Sequence, residues 1–169
     1  VSTDLSPVLA ATARWLNRSY PSSGGAFDRV LAETQAQQAV TVAARLRYST
    51  EMDATLVALA GPGGSARLDR LAGVETLSDD EYAWRTWVDE VLASWACCLL
   101  ADPDLATEAV AATEHGTGMP AEFRRLTDPG TRERAATPLL RHPDLLHPVA
   151  ELHREQLLGL LGVEGAAAA

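Results

Sequence analysis

This chain contains no lysine and no isoleucine; all 14 of its basic residues are arginine. Without lysine there is no Schiff-base nucleophile and no lysine-type phosphate ligand. Together with abundant Ala, Leu, Arg and Gly, the two absences read as the codon bias of a GC-rich genome. Positive charge is also outnumbered: 23 acidic side chains leave a net charge of −9. Such a surface repels phosphate backbones and anionic lipid heads, so neither nucleic acid nor membrane is an expected partner. Cysteine is limited to the adjacent pair Cys97 and Cys98. On a helix neighbouring side chains diverge by about 100°, which prevents an easy disulfide between them. Two buried thiols in a reducing compartment are expected instead. No apolar run approaches the roughly 20 residues that span a bilayer, and no basic-then-apolar leader is readable. A cytoplasmic location is therefore expected.

The 169 residues suit one domain, and an apolar fraction of 47% with 22% charged is ordinary for a globular chain. Residues 1–165 are expected to form a single helical domain, with Ala166 to Ala169 as a disordered alanine tail. Strand patterns are absent: nothing alternates for more than a few residues. Helix boundary signals are plentiful. Ser6-Pro7 predicts an N-cap followed by a first-turn proline, with Val8, Leu9, Ala13 and Leu16 at helical spacing and Trp15 beside them. That helix stops near Tyr20 at a Pro-Ser-Ser-Gly-Gly loop. Ala26 to Ala60 has no glycine or proline and predicts one long helix of about 50 Å, or two joined near Thr50 to Asp53. Val42, Leu46, Met52, Leu56 and Leu59 form its apolar stripe.

Further on, Ser65 to Leu71 reads as a short helix ending at Gly73. Ser78-Asp79-Asp80-Glu81 is a capping box predicted to start a helix that runs to about Ala101. Asp102-Pro103 ends that helix and starts the next, which stops at His115 to Gly118. Short helices follow over Pro120 to Leu126 and Arg132 to Leu140, with Pro138 an awkward fit. A last helix runs from Pro148 to Gly162. One echo links Leu99 to Leu105 (LLADPDL) with Leu139 to Leu145 (LLRHPDL). A single echo does not make a repeat array and is read as shared corner chemistry. The expected fold is an all-α bundle of five to seven helices, one of them long.

Two faces could carry function. Trp84, Trp87, Val91, Trp95 and Cys98 fall at helical spacings on the predicted capping-box helix, opposite a Glu81, Arg85, Asp89 ladder. Such a stripe serves as core anchors, as an aromatic-lined pocket for a flat or cationic ligand, or as a dimer face. His153 lies midway along the apolar face set by Val149, Leu152, Leu157 and Leu160. A lone histidine there is most often structural; as a metal or haem ligand it needs help from elsewhere. His142 and His147 are near it, but no HxH, HxxxH or HExxH spacing exists.

A carboxylate-bridged metal bundle needs a Glu-x-x-His turn on two helices, and the sequence has none. Glu33, Glu51, Glu90 and Glu108 are its remaining inward candidates. Glu33, Gln37 and Thr41 form a polar stripe that reads more simply as a solvated helix face. The glycine clusters lack the Lys-Ser/Thr of a P-loop, and no serine has a nucleophile-elbow context.

The segment from Trp84 to Leu105, with its spaced tryptophans and its Leu-Leu-x-x-Pro-Asp-Leu corner, resembles helices in the ligand-binding halves of TetR-type regulators. The resemblance covers residues 84–105. No helix-turn-helix and no basic recognition helix accompany it, so it amounts to a shared helix corner and assigns no family.

The expected function is a non-catalytic interaction or small-ligand-binding module that self-associates or binds a protein partner. Its expected ligand-binding residues are Trp84, Trp87, Trp95 and His153, taking a small apolar or aromatic molecule. No metal and no cofactor is expected. The alternative is a helical-bundle enzyme, ferritin-like or similar, with a metal or haem site built from His153 and inward carboxylates. Whether the chain is an enzyme at all stays open at this point.

Overall fold

Helix α2 (Ala26–Arg47) is the longest element of the fold and the one around which the others pack. The computed structural model describes residues 5–48, 57, 59, 64–74, 87–113 and 120–163, and all regular structure among them is helical. Around α2 stand α1 (Ser6–Ser19), α3 (Ser65–Ala72), α4 (Glu90–Ala101) and α5 (Pro103–Thr113). A 3-10 turn, Pro120–Phe123, leads into α6 (Arg124–Thr127), followed by α7 (Thr131–Ala136) and α8 (Pro138–Arg141). A second 3-10 turn, Pro143–Leu145, precedes α9 (His147–Ala150) and α10 (Arg154–Leu161). Six of these helices have eight residues or more, and the rest are single turns at corners. The all-α bundle is therefore as the patterning implies. No helix among the described residues is long and apolar enough to cross a membrane.

The core forms where α2 meets α4 and α1. Helix α4 is buried on every side from Leu92 to Leu100, as a helix surrounded by others must be. Each fully buried leucine there contributes about 1.5–3 kcal/mol relative to exposure. Cys97 and Cys98 are both buried free thiols. Several polar groups in the interior are satisfied by long-range bonds. Trp15, wholly buried on α1, donates its indole N–H to Asp69 Oδ1 of α3 at 3.1 Å. Gln35 of α2 donates to the Arg125 carbonyl at 3.2 Å and accepts from the Thr137 hydroxyl, tying the α6–α7 corner to the bundle.

Several boundaries differ from the sequence reading. Helix α1 begins one residue early, with Leu5 rather than Ser6 at the N-cap. Helix α2 ends at Arg47, with the Tyr48 N–H closing on the Ala44 carbonyl, so the single long helix gives way to the alternative reading of two helices joined near Thr50. Leu59, assigned to its apolar stripe, is 79% exposed. The helix expected over 78–101 does not extend through 87–89: Asp89 is an N-cap whose carboxylate accepts from the Val91 N–H, and α4 starts at Glu90. The Ser78 to Glu81 capping box lies outside the described residues, as do Met52, Leu56 and the alanine tail. Pro138 does not strain the end of a helix; it opens a new one after a break at Thr137.

The two echoed corners do share geometry. Asp102 and His142 have extended backbones (φ −133°, ψ 98° and φ −135°, ψ 72°), each between a helix and a proline-led turn. Their outcomes differ because Asp102 accepts from the N–H groups of Asp104 and Leu105, while His142 makes no side-chain cap. A capped start yields the 11-residue α5; the uncapped one yields a three-residue 3-10 turn.

Candidate functional site

The residues singled out by sequence do not form one stripe. Trp84 lies outside the described residues. Trp87 sits in the turn before α4 and packs half-buried against the core, so it does not share a helix face with Trp95. Asp89 likewise is the N-cap and not part of a surface ladder. Trp95 is in the core at 3% exposure, and its indole N–H donates to the His153 carbonyl at 3.1 Å. His153 is not midway along a helix: the predicted 148–162 helix breaks over Glu151 to His153, and His153 is the N-cap residue of α10.

Helix α4 supplies the reason for that break. Ser94 Oγ donates to the Ala150 carbonyl at 2.8 Å and accepts the His153 N–H at 3.1 Å. Cys98 Sγ, one turn further, is 3.3 Å from the same Ala150 carbonyl. In an unbroken helix Ala150 would accept from Arg154 and His153 would donate to Val149. Side chains spaced one turn apart on α4 take over those roles, so the chain bends there without orphaning its backbone.

A charged cluster lies at the same end of α4. His153 Nε2 is 3.0 Å from Glu90 Oε1, and an Arg67 guanidinium nitrogen of α3 is 3.3 Å from the same oxygen. Beside them Asp89 Oδ2 accepts from the Tyr48 hydroxyl at 2.5 Å and lies 3.7 Å from Arg47 Nε. Gly64 is packed so closely on Glu90 that a Cβ there would sit 2.5 Å from the Glu90 Cβ. Of the inward carboxylates considered from sequence, Glu90 does meet His153; Glu33 and Glu108 are on exposed positions, and Glu51 lies outside the described residues. Among the described residues no three His, Cys, Asp or Glu side chains are grouped as metal ligands. The thiols are held protonated: burial pushes Cys97 well above its ordinary value, and burial raises Cys98 to about 11 despite the opposing effect of Arg154.

The outer face of α2 offers a different kind of site. Glu33, Gln37 and Thr41, the polar stripe read from sequence, line a groove of about 460 Å³ together with Thr34 and Gln38. Its far wall is Glu122 and Phe123, at the 3-10 turn before α6. Gln38 Nε2 donates to the Glu122 carbonyl at 2.6 Å and so fixes that wall against α2. Phe123 is nearly buried, with the Arg45 guanidinium 5.2 Å from its ring centre. A second furrow of about 370 Å³ flanks the same Glu33–Gln37 ridge on the α1 side, reaching Arg14 and Asn17. Nothing in the sequence brought Glu122 and Phe123 to this face. They come from a segment more than 80 residues away, held to α2 by the Gln38 bond, the neighbouring Gln35–Arg125 bond and the Phe123 packing.

Compared with protein-family models, curated proteins and solved structures, the chain matches none.

Proposed function

We propose that this chain is a non-catalytic α-helical binding module that takes a small ligand and self-associates. The groove along α2 carries the reading: an open recess of about 460 Å³ walled by polar side chains and one aromatic ring. The groups best suited to covalent chemistry lean the other way. Both thiols are buried with raised pKa values, and His153 is engaged at its backbone N–H, its carbonyl and its Nε2. Self-association draws on Phe27 and Val30 near the start of α2 and Leu160 on α10, each more than half exposed. Light scattering coupled to gel filtration tests this part; a strict monomer at high micromolar concentration removes it. A fragment screen by two-dimensional NMR tests the other part. Shifts confined to 33–41 and 122–123 are expected, and a screen in which no fragment perturbs the groove defeats the ligand reading.

The Glu90–His153 pair favours a second reading, a bundle enzyme with a metal or haem at that end of α4. An imidazole oriented by a carboxylate is common in such sites. Arg67 opposes it, since a guanidinium on Glu90 competes with any cation. Elemental analysis and an absorption spectrum of purified protein decide: near one equivalent of iron, zinc or haem would promote this reading over the first.

A further inference from the structure

Helix α2 has an inner and an outer face. Leu31, Ala32, Ala36, Ala39 and Val40 are buried in the bundle. Ala26, Phe27, Arg29, Val30, Glu33 and Gln37 are exposed on the other side. At ~100° per residue, Ala26, Val30 and Gln37 run down the middle of that outer face. Arg29 and Glu33 line one flank, and Phe27 and Thr34 the other. Phe27 and Val30 are each 56% exposed and, with Ala26, form a continuous apolar patch. The Arg132 guanidinium of α7 lies 4.4 Å from the Phe27 ring centre. A ring already ordered in this way loses little freedom when a second surface covers it.

We infer that the covering surface is α2 of a second copy of this chain, paired antiparallel about a twofold axis level with Leu31. This rests on the self-association reading and names its surface and register. The argument is charge complementarity. A net charge of −9 makes most of the surface repel its own kind. Around Val30 the charges balance, with Asp28 and Glu33 against Arg29 and Arg132. Arg29 and Glu33 are one helical turn apart on the same flank, and neither makes an ion pair among the described residues. With a rise of ~1.5 Å per residue, they lie about 3 Å to either side of the axis. Arg29 therefore comes level with the partner's Glu33, and Glu33 with the partner's Arg29. In the same register Val30 meets the partner's Val30, Ala26 comes beside the partner's Gln37, and Phe27 reaches the partner's Thr34. The face is thus complementary to itself, as a twofold interface requires. Three helical turns cover less than the ~800 Å² per partner of a standard interface, so the dimer is weak and reversible.

Sedimentation equilibrium on the whole chain, up to high micromolar concentration, reads the association. Wild type is expected to be a monomer–dimer mixture, and Val30→Arg a monomer throughout. Arg29→Glu and Glu33→Arg each set like charges against one another across the axis. Each is expected to self-associate at least ~10-fold more weakly than wild type. Mixed one to one, these two variants regain opposite charges at both positions, and a heterodimer at least as tight as the wild-type dimer is expected. All three positions are exposed, and circular dichroism checks that each variant keeps its helices. A dimer that none of the three substitutions weakens overturns the inference and leaves self-association through another face, such as that at Leu160. Weakening by the single variants with no recovery on mixing overturns the antiparallel register, and the inference with it. A wild type that stays strictly monomeric overturns the inference and the self-association reading together.

Discussion

Replacing Ser94 with alanine should destabilise the protein far more than its surface chemistry suggests. Ser94 is fully buried, and its hydroxyl both donates to Ala150 and accepts from His153. In Ser94→Ala the Ala150 carbonyl keeps Cys98 Sγ at 3.3 Å, so its loss is limited to about 0.5–1.5 kcal/mol. The His153 N–H has no such reserve, because the chain is bent there and the Val149 carbonyl is engaged by Leu152. An orphaned buried donor costs about 1–3 kcal/mol. Alanine returns about 0.5 kcal/mol of helix propensity. The net loss is about 2 kcal/mol, or a Tm drop of about 4–8 °C for a chain of this size. Urea unfolding followed by circular dichroism measures it, with an unchanged m-value expected. Thr12→Val is the control. Thr12 is equally buried, but its hydroxyl bonds only the Val8 carbonyl of its own helix, which keeps its backbone partner. That variant should change stability by less than about 0.5 kcal/mol, given the similar propensities of threonine and valine. If Ser94→Ala cost no more than Thr12→Val, the claim that α4 holds the α9–α10 bend would be wrong.

Glu133 gives a pH prediction. Burial raises its pKa, but the Gly130 N–H and the Arg124 and Arg125 guanidiniums outweigh it and hold the carboxyl below its ordinary value of 4.5. A carboxyl lowered on folding stabilises above its unfolded pKa, and that contribution fades as pH falls through the folded one. Wild type should therefore lose stability below about pH 4.5 more steeply than Glu133→Gln; parallel acid limbs in thermal melts would refute this. Asp102→Ala removes the two N-terminal bonds of α5 and should cost about 1 kcal/mol in the same urea assay, whereas Asp104→Ala should be close to neutral. Cys97 and Cys98 should resist a thiol reagent at pH 8 in the folded protein and react fully once unfolded; rapid labelling of native protein would contradict their burial.

Local chemistry wrote much of this fold into the chain. Asp102-Pro103 names a helix corner because a carboxylate and an N–H-free ring suit the first turn wherever it occurs. Gly73 and Gly162 end helices because both adopt positive φ, a conformation that favours glycine. The apolar, cysteine-bearing run from Leu92 to Leu100 lies inside a helix the sequence predicts, and the structure buries it on every side. None of these needs a distant partner to be legible.

The site was less legible, for an equally physical reason. Periodicity extends a helix until something local stops it, and nothing local stops one at Glu151 to His153, whereas at Trp87 to Asp89 the local signal, the Asp89 cap, is hidden by the continuing helical spacing. The first break exists because Ser94, Trp95 and Cys98 claim the backbone of residues more than 50 positions away. That moved His153 from a helix face to a cap and brought it to Glu90. The groove is the same case: its α2 wall showed as a polar stripe, but Glu122 and Phe123 became the opposite wall only when Gln38 and the core drew them in. Sequence alone determined a helical, acidic chain and where many helices turn, because caps and propensities act within a few residues. Tertiary structure decided which side chains face one another, because hydrogen bonds and packing between distant segments have no spacing for a sequence to display.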